Sequence, residues 1–186
     1  MEASIDTKIL SLLQNPSTYE QGFKLLVQTY QERLYWQVRR MVTTHEDAND
    51  VLQNIFIKIY KSIHNFKGDS KLFTWLYRIA TNESITFLNK RKKKQHFISA
   101  AADTTNFENT LQADSYFDGN AAQIKLKSAI AQLPPKQQLV FNMRYYENLS
   151  YEDMSEVLDT SVSALKSSYF HAAKKVEAYL KLVAEE

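Results

Sequence analysis

Cysteine is absent from the 186-residue chain, which rules out disulfides, thiolate catalysis and cysteine-bearing zinc sites. Glycine and proline are scarce, three of each, which argues against turn-rich β architectures and favours long helices. No apolar run approaches the roughly 20 residues of a membrane span, and the N-terminus has no basic-then-apolar signal pattern. A soluble, cytoplasmic protein is therefore expected. The four histidines, His45, His64, His96 and His171, lie too far apart for a local metal motif. There is no pairing of titratable groups, no cofactor motif and no phosphate loop, so no enzyme, metal, cofactor or small-molecule substrate is expected.

Positive charge is also missing from one stretch. Residues 96–123 hold four acids and no Lys or Arg, whereas residues 1–95 hold 15 cations against 9 acids, and residues 124–186 hold eight of each. The net charge of +2 thus conceals a basic front, an acidic middle and a neutral end, which suggests three functional pieces.

What is present is helical periodicity. From Ile5 to about Lys94 apolar residues recur at helical spacing, with breaks near Asn15-Pro16, Thr43-Thr44 and Lys67-Gly68, which predicts four helices. Residues 96–120 lose that periodicity, and a structureless stretch of this length separates domains more often than it sits inside one. The helical pattern resumes at Ala121. Pro134-Pro135 ends one helix and suits the first turn of the next. Ser150 with Asp153 resembles a capping box for a short helix ending at Leu158, and Asp159, Thr160 and Ser161 form a tight turn into a long last helix. Two helices joined by a three-residue turn match a helix-turn-helix. The last helix buries Val162, Leu165, Tyr169, Ala172, Val176 and Leu180. Its other face shows Ala164, Ser167, Phe170, His171 and Lys174, suited to a major groove, with a plain polar surface as the alternative.

Two further stretches carry chemistry. On a helix from Asp47 to Ile63, the residues Val51, Leu52, Ile55, Phe56, Ile59 and Ile63 share the inward face. Asp47, Asp50, Asn54 and Lys61 face outward with Ile57 among them, either a stray surface apolar or the centre of a docking face. In residues 66–94, FKGDSKLFTWLYRIATNESITFLNKRKKK, a glycine loop leads into an aromatic helix that ends in five cations, Lys90, Arg91, Lys92, Lys93 and Lys94. Aromatics stack on unpaired bases and cations neutralise phosphates; alternatively Phe73, Trp75 and Leu76 are core and the charge run is a solvated helix end.

In order, these pieces resemble a bacterial RNA polymerase sigma factor of the extracytoplasmic-function group. DANDVLQNIFIKIY (residues 47–60) is similar to the family's core-binding segment, with Asp47, Ala48, Asp50, Gln53 and Phe56 in place. FKGDSKLFTWLYRIATN (residues 66–82) is similar to the segment that opens and reads the minus-ten element, and residues 133–176 resemble the domain that reads the minus-thirty-five element. The resemblance implies an all-α fold of two small helical domains: 1–95 for core binding and minus-ten recognition, an acidic linker 96–122, and a helix-turn-helix domain 123–186. It implies polymerase docking through Asp47, Asp50, Gln53, Asn54 and Ile57. Minus-ten DNA would meet Lys67, Gly68, Asp69, Ser70 and Lys71, which capture a flipped base, and Arg78, Asn82, Lys90 and Arg91, which follow phosphates. Minus-thirty-five DNA would meet Lys166, Ser167, Phe170, His171 and Lys174. The linker would either thread the polymerase cleft or act as a tether. The partners implied are the polymerase core enzyme, single- and double-stranded promoter DNA, and an anti-sigma factor.

There are departures from the family pattern. Asn49 and Asn54 stand where glutamates are usual, and Thr86 and Asn89 where Asp and Arg are common. Ser163, Ala164 and Leu165 replace Gly-Thr-Val, Ser168 and His171 replace arginines, and Met154-Ser155 replaces Ile-Ala. At roughly 1–3 kcal/mol per bidentate base contact, the missing arginines imply weaker or differently specified minus-thirty-five recognition. A stand-alone helix-turn-helix regulator and an all-α interaction module are the alternative readings.

Overall fold

The computed structural model describes residues 2–42, 44–98 and 121–184, and the expected acidic linker lies almost wholly outside them. Among the described residues the regular structure is helical throughout. The chain divides into two compact units, Met1–Thr105 and Asn106–Glu186.

The first unit holds α1 (Glu2–Gln14), α2 (Tyr19–Arg39), α3 (His45–Ser62), a 3-10 turn (Ile63–Asn65) and α4 (Leu72–Ile98). Helix α2 buries Gly22, Leu26, Tyr30, Leu34, Gln37 and Val38 along one stripe, and α3 buries Ala48, Val51, Ile55 and Ile59. Leu52 and Phe56, expected on the same inward face of α3, are only half-buried. The Thr44 hydroxyl accepts the Asp47 backbone N–H at 3.1 Å, and Glu46 and Asp47 complement the helix dipole in the first turn. Helix α4 turns Leu72, Phe73, Leu76, Tyr77, Ala80, Thr81 and Ser84 inward. The buried Gln37 amide donates to the Tyr77 carbonyl at 3.1 Å and to the Thr81 hydroxyl at 2.8 Å, fixing α2 against α4.

The second unit holds α5 (Ala121–Ala131), α6 (Pro135–Tyr145), α7 (Tyr151–Leu158) and α8 (Val162–Ala184). Pro135 occupies the first turn of α6, where its missing N–H has no helical partner to lose. Ser150 caps α7: its hydroxyl accepts from the Asp153 N–H at 3.0 Å and donates to the Asp153 carboxylate at 2.7 Å. The reciprocal link of this capping box therefore runs through the hydroxyl. Asp159, in the left-handed region at φ 49°, ends α7, and the Ser161 hydroxyl accepts the Ala164 N–H at 3.3 Å to start α8. The turn of the helix-turn-helix is thus built from one residue that reverses the chain and one that caps. Ala129, Ile130, Leu133, Phe141, Ala172 and Val176 make one core cluster. Met143, Met154, Val157 and Leu165 are buried as well.

Helix α1 lies against α2 at Gly22, where an added Cβ would meet the Leu12 Cβ at 2.9 Å and the Leu13 backbone nitrogen at 3.0 Å. Alanine in a helix gains up to about 1 kcal/mol over glycine, whereas overpacking against backbone costs about 1–3 kcal/mol. Because one of the obstructing atoms is backbone, Gly22→Ala is expected to destabilise the N-terminal unit on balance, seen as a lower denaturant midpoint.

Candidate nucleic-acid and partner-docking faces

Helix α3 offers the first face. Its packing stripe leaves Asp50, Gln53, Asn54 and Ile57 exposed, with 48% of Ile57 open to solvent. Ile57 also lines a shallow apolar groove between α2 and α3, together with Phe23, Val27, Gln53, Phe56, Tyr60 and Lys61. An apolar floor with amide and charged residues at its edge is the anatomy of a protein-docking patch. The groove has a rigid rim: the Tyr19 hydroxyl donates to the Tyr60 carbonyl at 2.7 Å, the Tyr60 hydroxyl donates to Glu20 at 2.6 Å, and Phe23 meets the Tyr60 ring edge-to-face. Both phenols titrate above the usual tyrosine range. Tyr60 is raised chiefly by its hydrogen bond to Glu20, Tyr19 chiefly by burial and then by the Glu20 charge.

Asn49 and Asn54, two of the departures from the family pattern noted above, bond locally. The Asn49 amide lies 3.0 Å from His45 Nε2, and the Asn54 amide donates to the Asp50 carbonyl at 3.0 Å. His45 Nδ1 in turn lies 2.6 Å from the Tyr35 hydroxyl, so this end of α3 is tied to α2.

The loop into α4 and the outer side of α4 form a second face. Lys67, Gly68, Asp69 and Lys71 are exposed and Ser70 is half-buried. Gly68 has φ 80°, a conformation that L side chains rarely adopt, and nothing lies within 4 Å of the space a Cβ would take. The turn therefore requires glycine, and its outer side is open. Of the aromatics that follow, Phe73 and Tyr77 are buried, Phe73 stacks on Tyr30, and the Arg33 guanidinium lies 3.6 Å from the Phe73 ring centre. Trp75 is half-buried and meets Phe66 edge-to-face. These rings serve as scaffold. The outer stripe of α4 is Arg78, Asn82, Ile85, Thr86, Asn89, Lys90 and Lys93, all exposed.

Asp47 and Arg91, expected on two separate contact surfaces, are paired with each other in the free chain. Arg91 Nη1 lies 2.5 Å from Asp47 Oδ2, and the side chains are 39% and 25% exposed. Each is turned toward the other across the α3–α4 packing.

The third face is on α8, where Lys166, Ser167, Phe170, His171 and Lys174 are all exposed, Phe170 by 54%. The Lys174 ammonium sits 4.5 Å from the Phe170 ring centre and His171 packs edge-on beside it, giving an apolar ring flanked by donors. At the start of α7, Tyr151 draws Arg144 and Lys166 to within 5.3 and 5.6 Å of its ring centre. Arg144 also donates to the Leu149 carbonyl at 2.9 Å, holding the turn before α7.

Sequence reasoning missed the groove residues Phe23, Val27 and Tyr60, the Asp47–Arg91 pair, and the Tyr151 site. Each is a meeting of separate helices, and single-helix periodicity carries no signal for that. Among the described residues no cluster of three or more His, Asp or Glu is arranged to hold a metal, and no helix is long and apolar enough to cross a membrane.

Two family profiles match: Sigma-70 region 2 over residues 26–94 and Sigma-70 region 4 over residues 123–176. The chain is 30% identical over 183 residues to the RNA polymerase sigma-H factor of Pseudomonas aeruginosa, covering 90% of each protein. It is 31% identical over 165 residues to the ECF RNA polymerase sigma-E factor of Haemophilus influenzae, covering 85% of this chain and 87% of that one. Among solved structures the fold is similar to that of the sigma factor RpoE in complex with the anti-sigma factor NepR from Bartonella quintana, with TM-score 0.70 and 20% identity over 86% of this chain and 96% of that one. It is also similar to CnrH in complex with the cytosolic domain of CnrY, with TM-score 0.68 and 20% identity over 96% and 98%.

The groove rim has a pH signature. A phenol whose folded-state pKa is raised stabilises the fold fully below the ordinary tyrosine value, and the contribution is lost as pH rises through the raised value. Thermal stability followed by circular dichroism is therefore expected to fall above about pH 10. Tyr60→Phe should make that decline shallower, since it removes one of the two raised phenols.

Proposed function

Because the chain belongs to the extracytoplasmic-function group of RNA polymerase sigma factors, which bind core polymerase and direct promoter recognition, we propose that its three exposed faces divide that work. The observation that carries the division is that one four-helix unit presents Ile57 with its polar rim on α3 and, separately, the open Gly68 turn leading into α4 with its cationic outer stripe. Asp50, Gln53, Asn54 and Ile57 dock on the polymerase core. Lys67, Gly68, Asp69, Ser70 and Lys71 capture a base flipped from the minus-ten strand. Flipping costs a few kcal/mol, and the wide, unobstructed glycine turn leaves room for backbone contacts that offset it. Arg78, Asn82 and Lys90 follow the adjoining phosphates and so favour strand opening.

Lys166, Ser167, Phe170, His171 and Lys174 enter the minus-thirty-five major groove. Phe170 is suited to a thymine methyl, and the flanking cations to phosphate or guanine. Residues 1–95 thus carry core binding and minus-ten recognition, 123–186 carry minus-thirty-five recognition, and 96–122 join them. The protein contributes binding while the polymerase contributes the chemistry, and it works in the cytoplasm where polymerase is. The RpoE and CnrH structures supporting the fold each hold a bound partner, and an anti-sigma factor covering the same faces completes the proposal.

Ile57→Asp places a charge at the centre of the docking patch without touching the core. It is expected to weaken core-polymerase binding by at least 2 kcal/mol, about 30-fold, in pull-down or titration. Unchanged binding in both Ile57→Asp and Asp50→Lys would remove α3 from the interface. Run-off transcription with core enzyme on a randomised promoter library tests the activity and reads both promoter elements. On the preferred promoter, Lys166→Ala should lower the slope of log affinity against log salt by about 1, whereas Phe170→Ala should lower affinity with the slope unchanged.

A further inference from the structure

The ion pair between Asp47 and Arg91 joins two segments to which separate partners were assigned. Along the inner stripe of α4 come Tyr77, Ala80 and Ser84, all buried, then Phe87 and Leu88, half-buried, and then Arg91. Arg91 therefore continues the packing stripe of the helix as its last described inward side chain, while Lys90, Lys92, Lys93 and Lys94 are exposed. Its partner is well held. Asp47 stands in the first turn of α3, where the helix dipole favours a carboxylate, and its backbone N–H is bound by the Thr44 cap. Both side chains are partly buried, so the pair is less screened than a fully exposed one.

We propose that Asp47 and Arg91 form a strut that fixes the direction of the basic end of α4. Asp47 is then a positioning residue for DNA binding and makes no contact with polymerase, and Arg91 makes none with phosphate. The strut holds the last turns of α4 on the docking body, so that Lys90 and Lys93 stay in line with Arg78 and Asn82 along the outer stripe. The DNA role rests on the sigma-factor assignment of that stripe, while the strut itself can be measured in the free protein.

In the free chain, amide hydrogen exchange at residues 89–94 is expected to speed up in Asp47→Asn and in Arg91→Gln, with exchange in α1 and α2 unchanged. Unchanged exchange at 89–94 overturns the strut whatever the DNA result. With holoenzyme on fork-junction promoter DNA, each single variant is expected to lose affinity by roughly fivefold. The double variant should lose no more than either single, the non-additivity of residues acting as a unit. Core affinity should stay within about twofold in all three. Three results would defeat the proposal: additive losses, an Asp47→Asn variant that binds DNA as well as or better than the parent, or a loss of core affinity in Asp47→Asn. The first two mark Arg91 as a direct phosphate contact and the third marks Asp47 as a polymerase contact. Should the parent chain fail to bind core enzyme, the sigma-factor assignment falls and the exchange result alone decides the strut.

Discussion

Helix α4 must supply core on one side and a polar, solvent-facing stripe on the other, and the N-terminal unit is organised by that constraint. At about 100° per residue only one stripe can face inward. That stripe is filled with Leu72, Phe73, Leu76 and Tyr77 at the start and with Ala80, Thr81 and Ser84 farther along. The small residues let α4 approach its neighbours closely, and the hydroxyls of Thr81 and Ser84 bond back to the Tyr77 and Ala80 carbonyls at 2.9 and 2.8 Å, so no buried hydroxyl there is left open. Gln37 bonds into the same patch from α2. Once the inner stripe is seated, the outer stripe follows without further instruction, because periodicity places Arg78, Asn82 and Lys90 opposite the core.

The same logic divides the aromatic residues. A ring exposed for base stacking would forfeit its burial, and full burial of a large apolar side chain is worth about 1.5–3 kcal/mol. Phe73 and Tyr77 are placed inside, Phe73 stacked on Tyr30 and edge-on to Tyr77, which ties the first turns of α4 to α2. In the C-terminal unit the choice goes the other way for Phe170, as it does for Tyr145 and Tyr146. Phe170 stays outside, with Lys174 and His171 beside it, whereas Phe141 is buried and stacks on the half-buried Tyr169. An exposed phenylalanine in such company carries more information than any of the buried ones.

These arrangements were legible in the sequence to different degrees. Periodicity was sufficient for the helices and for the outward faces of α3 and α8, because a helix's inward and outward sides are set by spacing alone. Ser150, Asp153 and Pro135 were legible because caps and prolines act on backbone groups within a few residues. The groove at Phe23 and Tyr60, and the pairing of Asp47 with Arg91, depend on which helices become neighbours and at what angle; no local rule carries that. Asp47 and Arg91, which face each other in the free chain, show the limit well. Charge predicts exposure on average, but a cation on the inward stripe finds an acid across the packing.

The close seat of α1 at Gly22 has a consequence for how that helix can respond to force or to a partner. Contact between Gly22 and Leu12 leaves no slack, since the missing methyl is what permits it. Close-packed interfaces of this kind do not yield gradually; they hold their register or release it. To slide along α2, helix α1 would have to carry the Leu12 Cβ and the Leu13 backbone out of the space that Gly22 leaves for them.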